Sequence, residues 1–507
     1  MHRNLMITLL LLVLAPSTQA ASKPNIVLFL VDDMGWQDTS VPFHTEVTPL
    51  NRKFHTPHME ALAAGGMKFT QAYACSVCSP TRVSLMTGLN AARHRVTNWT
   101  LRKNQSPDAK HPRLTFPQWN VNGISPDPTI ERAIHAPTLP ALLRDAGYRT
   151  IHVGKAHFGA AGTPGEDPRN IGFDVNIAGH APGGPGSFLG TQNFSAAFRN
   201  GDRIWDVPGL EAYHGKDIFL TEALTIEANK AVDQAIKDGK PFFLYMSHYA
   251  VHVPFAPDNR FMQKYLDAGL DRTEAMYAAI VEGMDKSLGD ILANIEKHGL
   301  TKDTIVLFMS DNGGLSAHGR GGQKHAHNLP LSSGKGSAHE GGIREPMIVR
   351  WPGVTKPGSV CNDYVIIEDF FPTILTMAGV KEQPKVDGVS FVPLLDGTGK
   401  GDPTRALIWH YPNNWGPGGP GIGASSSIRQ GDWKLIYYHD PARKERYELF
   451  NLAKDIGETK NLVDTEEAKA AELSKLLRER LMDMKAQMPI ETNTKRVIGW
   501  PGLDSGD

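Results

Sequence analysis

Two buried-strand patterns, far apart in the chain but alike in how they end, constrain this protein more than any other feature. Asn25–Val31 is a continuous apolar, β-branched run, the mark of a strand covered on both faces of a parallel sheet, and it stops at Asp32 and Asp33. Thr304–Met309 repeats the pattern and stops at Ser310, Asp311, Asn312, Gly313 and Gly314. Two buried strands therefore deliver acidic pairs to one edge of a sheet.

Between them, Thr138 is expected to cap a helix through Leu142 and Leu143 that Gly147 stops, before a strand over 148–153 that runs into Gly154, Lys155, Ala156 and His157. Residues 241–246 read as another strand, followed by Ser247, His248, His252, Val253 and Pro254. Helical patterns at 56–64, 223–237 and 277–298 separate these strands. That alternation predicts an α/β fold: a large mixed, mostly parallel sheet sandwiched by helices. In such sheets ligands bind beyond the carboxyl ends of the strands, where all four strands place polar groups.

Gly/Pro-rich breaks at 397–401 and 416–423 precede short strand patterns within 428–438 and 447–452 and a helix over 466–484. With 507 residues, more than one core is expected. The predicted division is a catalytic domain over 21–400 and a smaller C-terminal α+β domain with a short antiparallel sheet over 401–507.

Residues 1–20 read as a signal peptide: a basic start at Arg3, apolar residues from Leu5 to Leu14, and small residues around Ala20. The predicted location is exported, periplasmic or secreted. No later run is apolar enough to span a bilayer. A formal net charge of -1 gives no general attraction to nucleic acid, so any affinity for anions must be local. Three cysteines, Cys75, Cys78 and Cys361, are too few for a disulfide framework and leave at least one for other chemistry.

The most informative stretch runs from Ser76 to Gly88. Ser79 is expected to cap a helix with Pro80 at its first position and Gly88 at its end, which puts Cys78 at a helix N-terminus, an end that favours oxyanions. Arg82, four residues on, shares roughly that face. A redox pair of Cys75 and Cys78 leaves the Pro80-Thr81-Arg82 continuation unexplained.

Cys78, Pro80 and Arg82 with Met86-Thr87-Gly88 resemble the signature of the type I sulfatases, which have an alkaline phosphatase-like fold, although Thr81 stands where Ser or Ala is commoner. The resemblance extends through Gly154–Gly159 (with Ala156 for a commoner Trp), Ala250–Pro254, Gly334–Gly336, Glu340–Pro346, 428–436 and 447–452, nearly all of the mature chain. It implies oxidation of Cys78 to formylglycine by a maturation enzyme. A hydrated aldehyde has two hydroxyls on one carbon: one attacks sulfur, and the other, deprotonated, expels sulfate. The resemblance further implies that Lys155 and Lys335 bind sulfate oxygens, His157 orients or deprotonates the hydrate, and His252 protonates the leaving alcohol.

Asp32, Asp33, Asp311 and Asn312 form a hard-oxygen set that favours Ca²⁺, with Mg²⁺ second, and the resemblance adds the Cys78 position to the ligands. One acidic pair alone would read as a cap or turn; two at equivalent strand ends would repel without a cation.

Trp99, Arg102, His318, Arg320 and His410, with Lys324, His325, His327 and Trp415, suit a sulfated carbohydrate: rings to stack on a sugar, charges to read its neighbouring groups. The rival readings are a phosphonate monoester or phosphodiester hydrolase with the same oxidised Cys, and a non-catalytic glycan-binding protein. Related phosphatases normally put His, for Zn²⁺, where Asn312 stands.

Overall fold

Strand β1 (Asn25–Val31) has the bounds its apolar run implies and is buried along its whole length. It belongs to a computed structural model that describes residues 23–503, so the expected leader at 1–20 lies outside the described residues. Strands β2 (Met67–Tyr73), β3 (Arg149–Gly154), β4 (Val175–Ile177), β5 (Phe242–Ser247), β6 (Thr304–Ser310), β7 (Arg344–Arg350), β8 (Ser359–Cys361) and β9 (Val365–Ile366) complete the large sheet. Its order is β9-β2-β7-β6-β1-β5-β3-β4, with β8 also beside β2. Only β7 runs antiparallel to its neighbours, β2 and β6. The mixed, mostly parallel sheet is as expected.

Because side chains alternate along a strand, β1 feeds two cores. Val27, Phe29 and Val31 point to one face, where helices α1 (Pro57–Gly65), α4 (Leu220–Lys237) and α5 (Arg272–Lys297) pack. Ile26, Leu28 and Leu30 point to the other, covered by α2 (Cys78–Thr87), α3 (Leu139–Asp145) and α6 (Phe370–Met377). Burying each such side chain is worth about 1.5–3 kcal/mol, so a one-residue slip of β1 would exchange both cores at large cost. Helix α5 begins before the expected Tyr277 because the Asp271 carboxylate caps the amides of Thr273 and Glu274.

The cap expected at Ser79 is not formed. Helix α2 starts at Cys78 behind an extended Val77, and the Ser79 hydroxyl instead accepts the Thr100 amide at 3.1 Å. Gly88 does end the helix, in a left-handed conformation with φ 69°. Thr138 also leaves its helix uncapped; its hydroxyl donates to the Ile171 carbonyl at 2.5 Å.

Beyond residue 400, strands β10 (Ala406–Tyr411), β11 (Ser425–Gln430), β12 (Trp433–Tyr438) and β13 (Tyr447–Asn451) form an antiparallel meander. Helix α7 (Glu467–Asp483) packs Leu473, Leu477 and Leu481 against Ile428, Leu435 and Leu449 of this small sheet. The two sheets are joined by buried polar contacts. The Trp409 indole donates to the Ala74 carbonyl at 2.8 Å, and the fully buried Lys434 bridges Glu340 and Glu458 at 3.0 and 2.9 Å. All three cysteines are free, so Cys75 pairs with neither Cys78 nor Cys361.

Candidate active site

The sheet order sets the site. Adjacent strands β6, β1, β5 and β3 bring their carboxyl ends side by side, so Asp311 and Asn312, Asp32 and Asp33, Ser247, and Lys155 meet above one edge. Helix α2 presents Cys78 and Arg82 to the same place. The Arg82 guanidinium, with none of its side chain exposed, donates to Asp311 Oδ2 at 2.9 Å, to the Lys155 carbonyl at 3.0 Å and to Ser247 Oγ at 2.5 Å. Burial alone would lower its pKa, but Asp311 and its acidic neighbours hold the guanidinium charged. Arg82 thereby ties helix α2 to three strands. Thr81 also has work to do: its hydroxyl accepts the Cys75 amide at 2.9 Å.

Lys155 Nζ lies 2.8 Å from both oxygens of Asp32. Lys335 Nζ lies 2.6 Å from Asp33 Oδ1 and 3.5 Å from Cys78 Sγ. The Asn312 amide donates to Asp33 Oδ1 at 2.8 Å. Burial pushes the Asp32 carboxyl well above the usual range, and the charges of Asp311 and Asp33 add to this despite Lys155. For Asp33 burial acts in the same direction, but Lys335, His252 and Lys155 outweigh it and hold that carboxyl below the usual range. Two buried oxygens, Asp33 Oδ2 and Asn312 Oδ1, have no hydrogen-bond partner among the described residues. Reactive atoms of Asp32, Asp311 and Cys78 fall within 4.8 Å of one another, as do those of Asp32, Asp33 and His252. Crowded carboxylates and orphaned oxygens, all hard donors, fit Ca²⁺ or Mg²⁺.

Both histidines are held neutral. His157 donates from Nε2 to the Thr100 carbonyl at 2.8 Å, while its Nδ1 has no partner; burial, then Lys155 and Arg82, push its pKa well below the ordinary value. His252 donates from Nδ1 to the Val253 carbonyl at 2.6 Å and turns Nε2 toward Asp33 Oδ2, 3.7 Å away. Burial and Lys335 lower its pKa to about 3 despite Asp33. Burial likewise raises the Cys78 thiol, against Lys155 and Lys335.

These groups floor a cavity of about 300 Å³ whose lining includes Asp33, Cys78, His157, His252 and Lys335. Of the residues expected to read substrate, Trp99 and His318 line it, as does Trp415. Arg320 and His410 do not. Arg320 is buried, paired with Glu274 at 2.9 Å and Asp38 at 3.1 Å, and stacked 3.7 Å from the Tyr277 ring centroid. His410 is buried in the small sheet between Ser426 Oγ and the Gln487 carbonyl. Arg102 lies outside the lining and is paired with Asp202. A cationic residue in a polar loop looks the same in sequence whether it faces substrate or a buried carboxylate.

Sequence reasoning missed Trp205, Gly183 and Gly184. Gly183 and Gly184 lie against the rings of His157 and His252: an added Cβ would come 2.7 Å from His157 Nδ1 in the first case and 2.9 Å from His252 Nδ1 in the second. Their signal is the glycine- and proline-rich run 181–186, whose purpose shows only in three dimensions. Glu345 was also passed over. It is fully buried behind the site, neither oxygen has a partner, and burial with nearby Asp311 and Asp33 raises its pKa well above normal.

The family profile described as Sulfatase matches residues 24–380, and the one described as N-sulphoglucosamine sulphohydrolase, C-terminal, matches 334–487. The chain is 31% identical over 498 residues to a protein named Sulfatase from Formosa agariphila, covering 88% of this chain and 85% of that protein. It is 32% identical over 409 residues to N-acetylgalactosamine-6-sulfatase of Mus musculus, covering 78% of this chain and 70% of that one. Among solved structures, that of Ps i-CgsB in complex with k-i-k-neocarrahexaose superposes with a TM-score of 0.71 at 25% identity, covering 91% of this chain and 93% of that one.

Proposed function

This chain belongs to the sulfatase family and is a sulfuric ester hydrolase, and from that premise we propose that it desulfates a carbohydrate with Cys78, oxidised to formylglycine, as nucleophile. The observation that carries the mechanism is the position of Cys78 Sγ: at the first residue of a helix, 3.5 Å from Lys335 Nζ, beside the buried carboxylates of Asp32 and Asp311. In the mature enzyme this Sγ is replaced by the aldehyde hydrate, which supplies one hydroxyl to attack sulfur and a second to release sulfate.

Asp32, Asp33, Asp311 and Asn312 would hold Ca²⁺. When bound, the ion draws electron density from the sulfate oxygens and favours ionised hydroxyl over hydroxyl. Lys335 and Lys155 neutralise charge on the sulfate oxygens as it develops. His157, neutral with a free Nδ1, accepts the proton of the hydroxyl that expels sulfate. His252 rests unprotonated, and a sulfate beside it raises its basicity, so the arriving anion prepares it to protonate the leaving alcohol. The name N-acetylgalactosamine-6-sulfatase and the neocarrahexaose complex support a sulfated carbohydrate as substrate. Export to the periplasm or medium and an encounter with a maturation enzyme complete the proposal. Among the described residues no helix is long and apolar enough to cross a membrane.

The test is the mass of the tryptic peptide containing Cys78, from protein co-expressed with a maturation system, paired with release of inorganic sulfate and phosphate from matched esters. Conversion of thiol to aldehyde with dominant sulfate release is expected. An unconverted cysteine, with a control protein converted, would overturn the nucleophile; dominant phosphonate or phosphodiester turnover would overturn the substrate class.

A further inference from the structure

Three tryptophans stand around the cavity above Cys78, and each is placed by a different loop. Trp99 precedes Thr100, whose amide is held by Ser79 of the nucleophile helix and whose carbonyl holds His157. Trp205 ends a short turn, Arg203–Trp205, whose Ile204 amide is capped by the Asp202 carboxylate. Trp415 lies against Gly336, beside Lys335, where an added Cβ would collide with the indole ring. Asn414, next to it, is anchored through its carbonyl to the Ala109 amide at 3.0 Å. All three indoles are half-buried.

The same wall carries no charge of its own. Among the described residues, no Lys, Arg, Asp or Glu lines the cavity above the catalytic groups. The cations that the sequence offered for reading a second anionic group are all committed or remote. Arg102 is paired with Asp202, an ion pair that joins the Trp99 loop to the Trp205 turn. Arg320 is sealed against Glu274 and Asp38. Lys324 is exposed and outside the lining. His318, 5.5 Å from the Trp415 ring, is held toward its neutral form by burial and Lys335.

We propose that Trp99, Trp205 and Trp415 form a neutral aromatic cage that selects a single ring bearing one sulfate ester and no second anionic group. The inference rests on the sulfatase reading and narrows its substrate. Apolar ring faces stack on indoles, which bury large area at low entropic cost. A second sulfate or a carboxylate on that ring would lose water against this wall and find no cation in return. The cavity volume, about 300 Å³, lies at the lower end of small-molecule sites and suits one ring rather than several.

The experiment uses the mature, calcium-loaded enzyme and esters matched except for the second anion: N-acetylgalactosamine 4-sulfate and 6-sulfate against the 4,6-disulfate, and N-acetylglucosamine 6-sulfate against glucosamine 2-N,6-O-disulfate. The singly sulfated member of the preferred pair is expected to exceed its disulfated partner in kcat/KM by at least about tenfold. Trp205→Ala should raise KM for that ester by about tenfold while inhibition by inorganic sulfate, which needs only the cavity floor, is unchanged. Equal or faster turnover of the disulfated esters overturns the proposal.

Indole fluorescence of Cys78→Ala protein, titrated with the same pairs, keeps the two readings apart. If converted enzyme turns over none of these esters but Cys78→Ala still binds the singly sulfated rings more tightly, the sulfatase reading fails and the cage stands. Binding that does not distinguish the pairs, or that favours the disulfates, removes the cage whatever the turnover.

Discussion

Substituting Gly183 by alanine should cripple the enzyme through a single methyl group. Gly183 has no left-handed φ, so alanine meets no backbone strain, and the whole effect falls on what the new Cβ touches. That Cβ would sit 2.7 Å from His157 Nδ1 and 2.9 Å from Nε2. Non-bonded carbon contacts settle near 3.5–4.0 Å, so the imidazole must retreat by about 1 Å. Its 2.8 Å hydrogen bond to the Thr100 carbonyl is stretched by the same movement. Displacing a catalytic group by about 1 Å costs on the order of 100-fold in rate, and overpacking a filled site costs about 1–3 kcal/mol in stability.

The assay is kcat/KM for sulfate release, with conversion of Cys78 measured by mass and the melting temperature recorded for each variant. Gly418→Ala is the control, since nothing lies within 4 Å of a Cβ there and it sits in the Trp415 loop. Gly183→Ala with Cys78 converted, a native melting temperature and activity within twofold of wild type would refute the reasoning: either the ring moves freely or His157 takes no part in the chemistry.

Two further outcomes follow from buried charge. Glu368 is buried, its Oε1 accepting the Asn90 amide at 2.9 Å, and burial with the neighbouring Asp369 raises its pKa to about 8. The unfolded chain loses that proton first, so the contribution is complete at low pH and is lost as pH rises through the window from the ordinary carboxylate range to about 8, at up to about 1.4 kcal/mol per pH unit. Glu368→Gln should flatten the fall in urea midpoint across that window, and an unchanged slope would contradict it. Removing divalent cation with a chelator should weaken binding of inorganic sulfate to Cys78→Ala protein by about tenfold or more, and by reciprocity sulfate should tighten Ca²⁺ binding equally. Calorimetry reads both, and sulfate affinity indifferent to Ca²⁺ would break the assignment of the acidic cluster.

Much of this was legible in the sequence because the relevant signals are local. The apolar run of β1 gave its bounds to the residue, since a strand buried on both faces needs nothing but its own composition to be recognised. The convergence of Asp32, Asp33, Asp311, Lys155 and Ser247 followed from a topological rule about strand ends. What could not be read was pairing. Arg320 and Arg102 resemble substrate ligands until Glu274 and Asp202 are found beside them, and those partners lie far away in the chain. Ser79 failed as a cap for the same kind of reason: its hydroxyl was taken by Thr100. The glycines at 183 and 184 are the converse case, marks of crowding whose crowding neighbours, His157 and His252, come from other segments.

The charges of the floor explain why a neutral wall is enough above it. Asp32, Asp33 and Asp311 are matched one for one by Lys155, Lys335 and Arg82, and each cation is within 2.9 Å of a carboxylate oxygen. Such a site has little pull on an anion, because its lysines are already occupied. A divalent cation held by Asp32, Asp33, Asp311 and Asn312 would take over their charge and would leave both lysines in excess, so under the proposed mechanism metal binding would create the affinity for sulfate and confine it to the floor. Arg82, held by Asp311, Ser247 and the Lys155 carbonyl, keeps its place throughout and fixes Cys78 relative to the strands. Under the proposed reading, recognition of the sulfate and recognition of the ring thus fall to different layers of one cavity, and a substitution at Trp205 and one at Asp33 should fail in different ways.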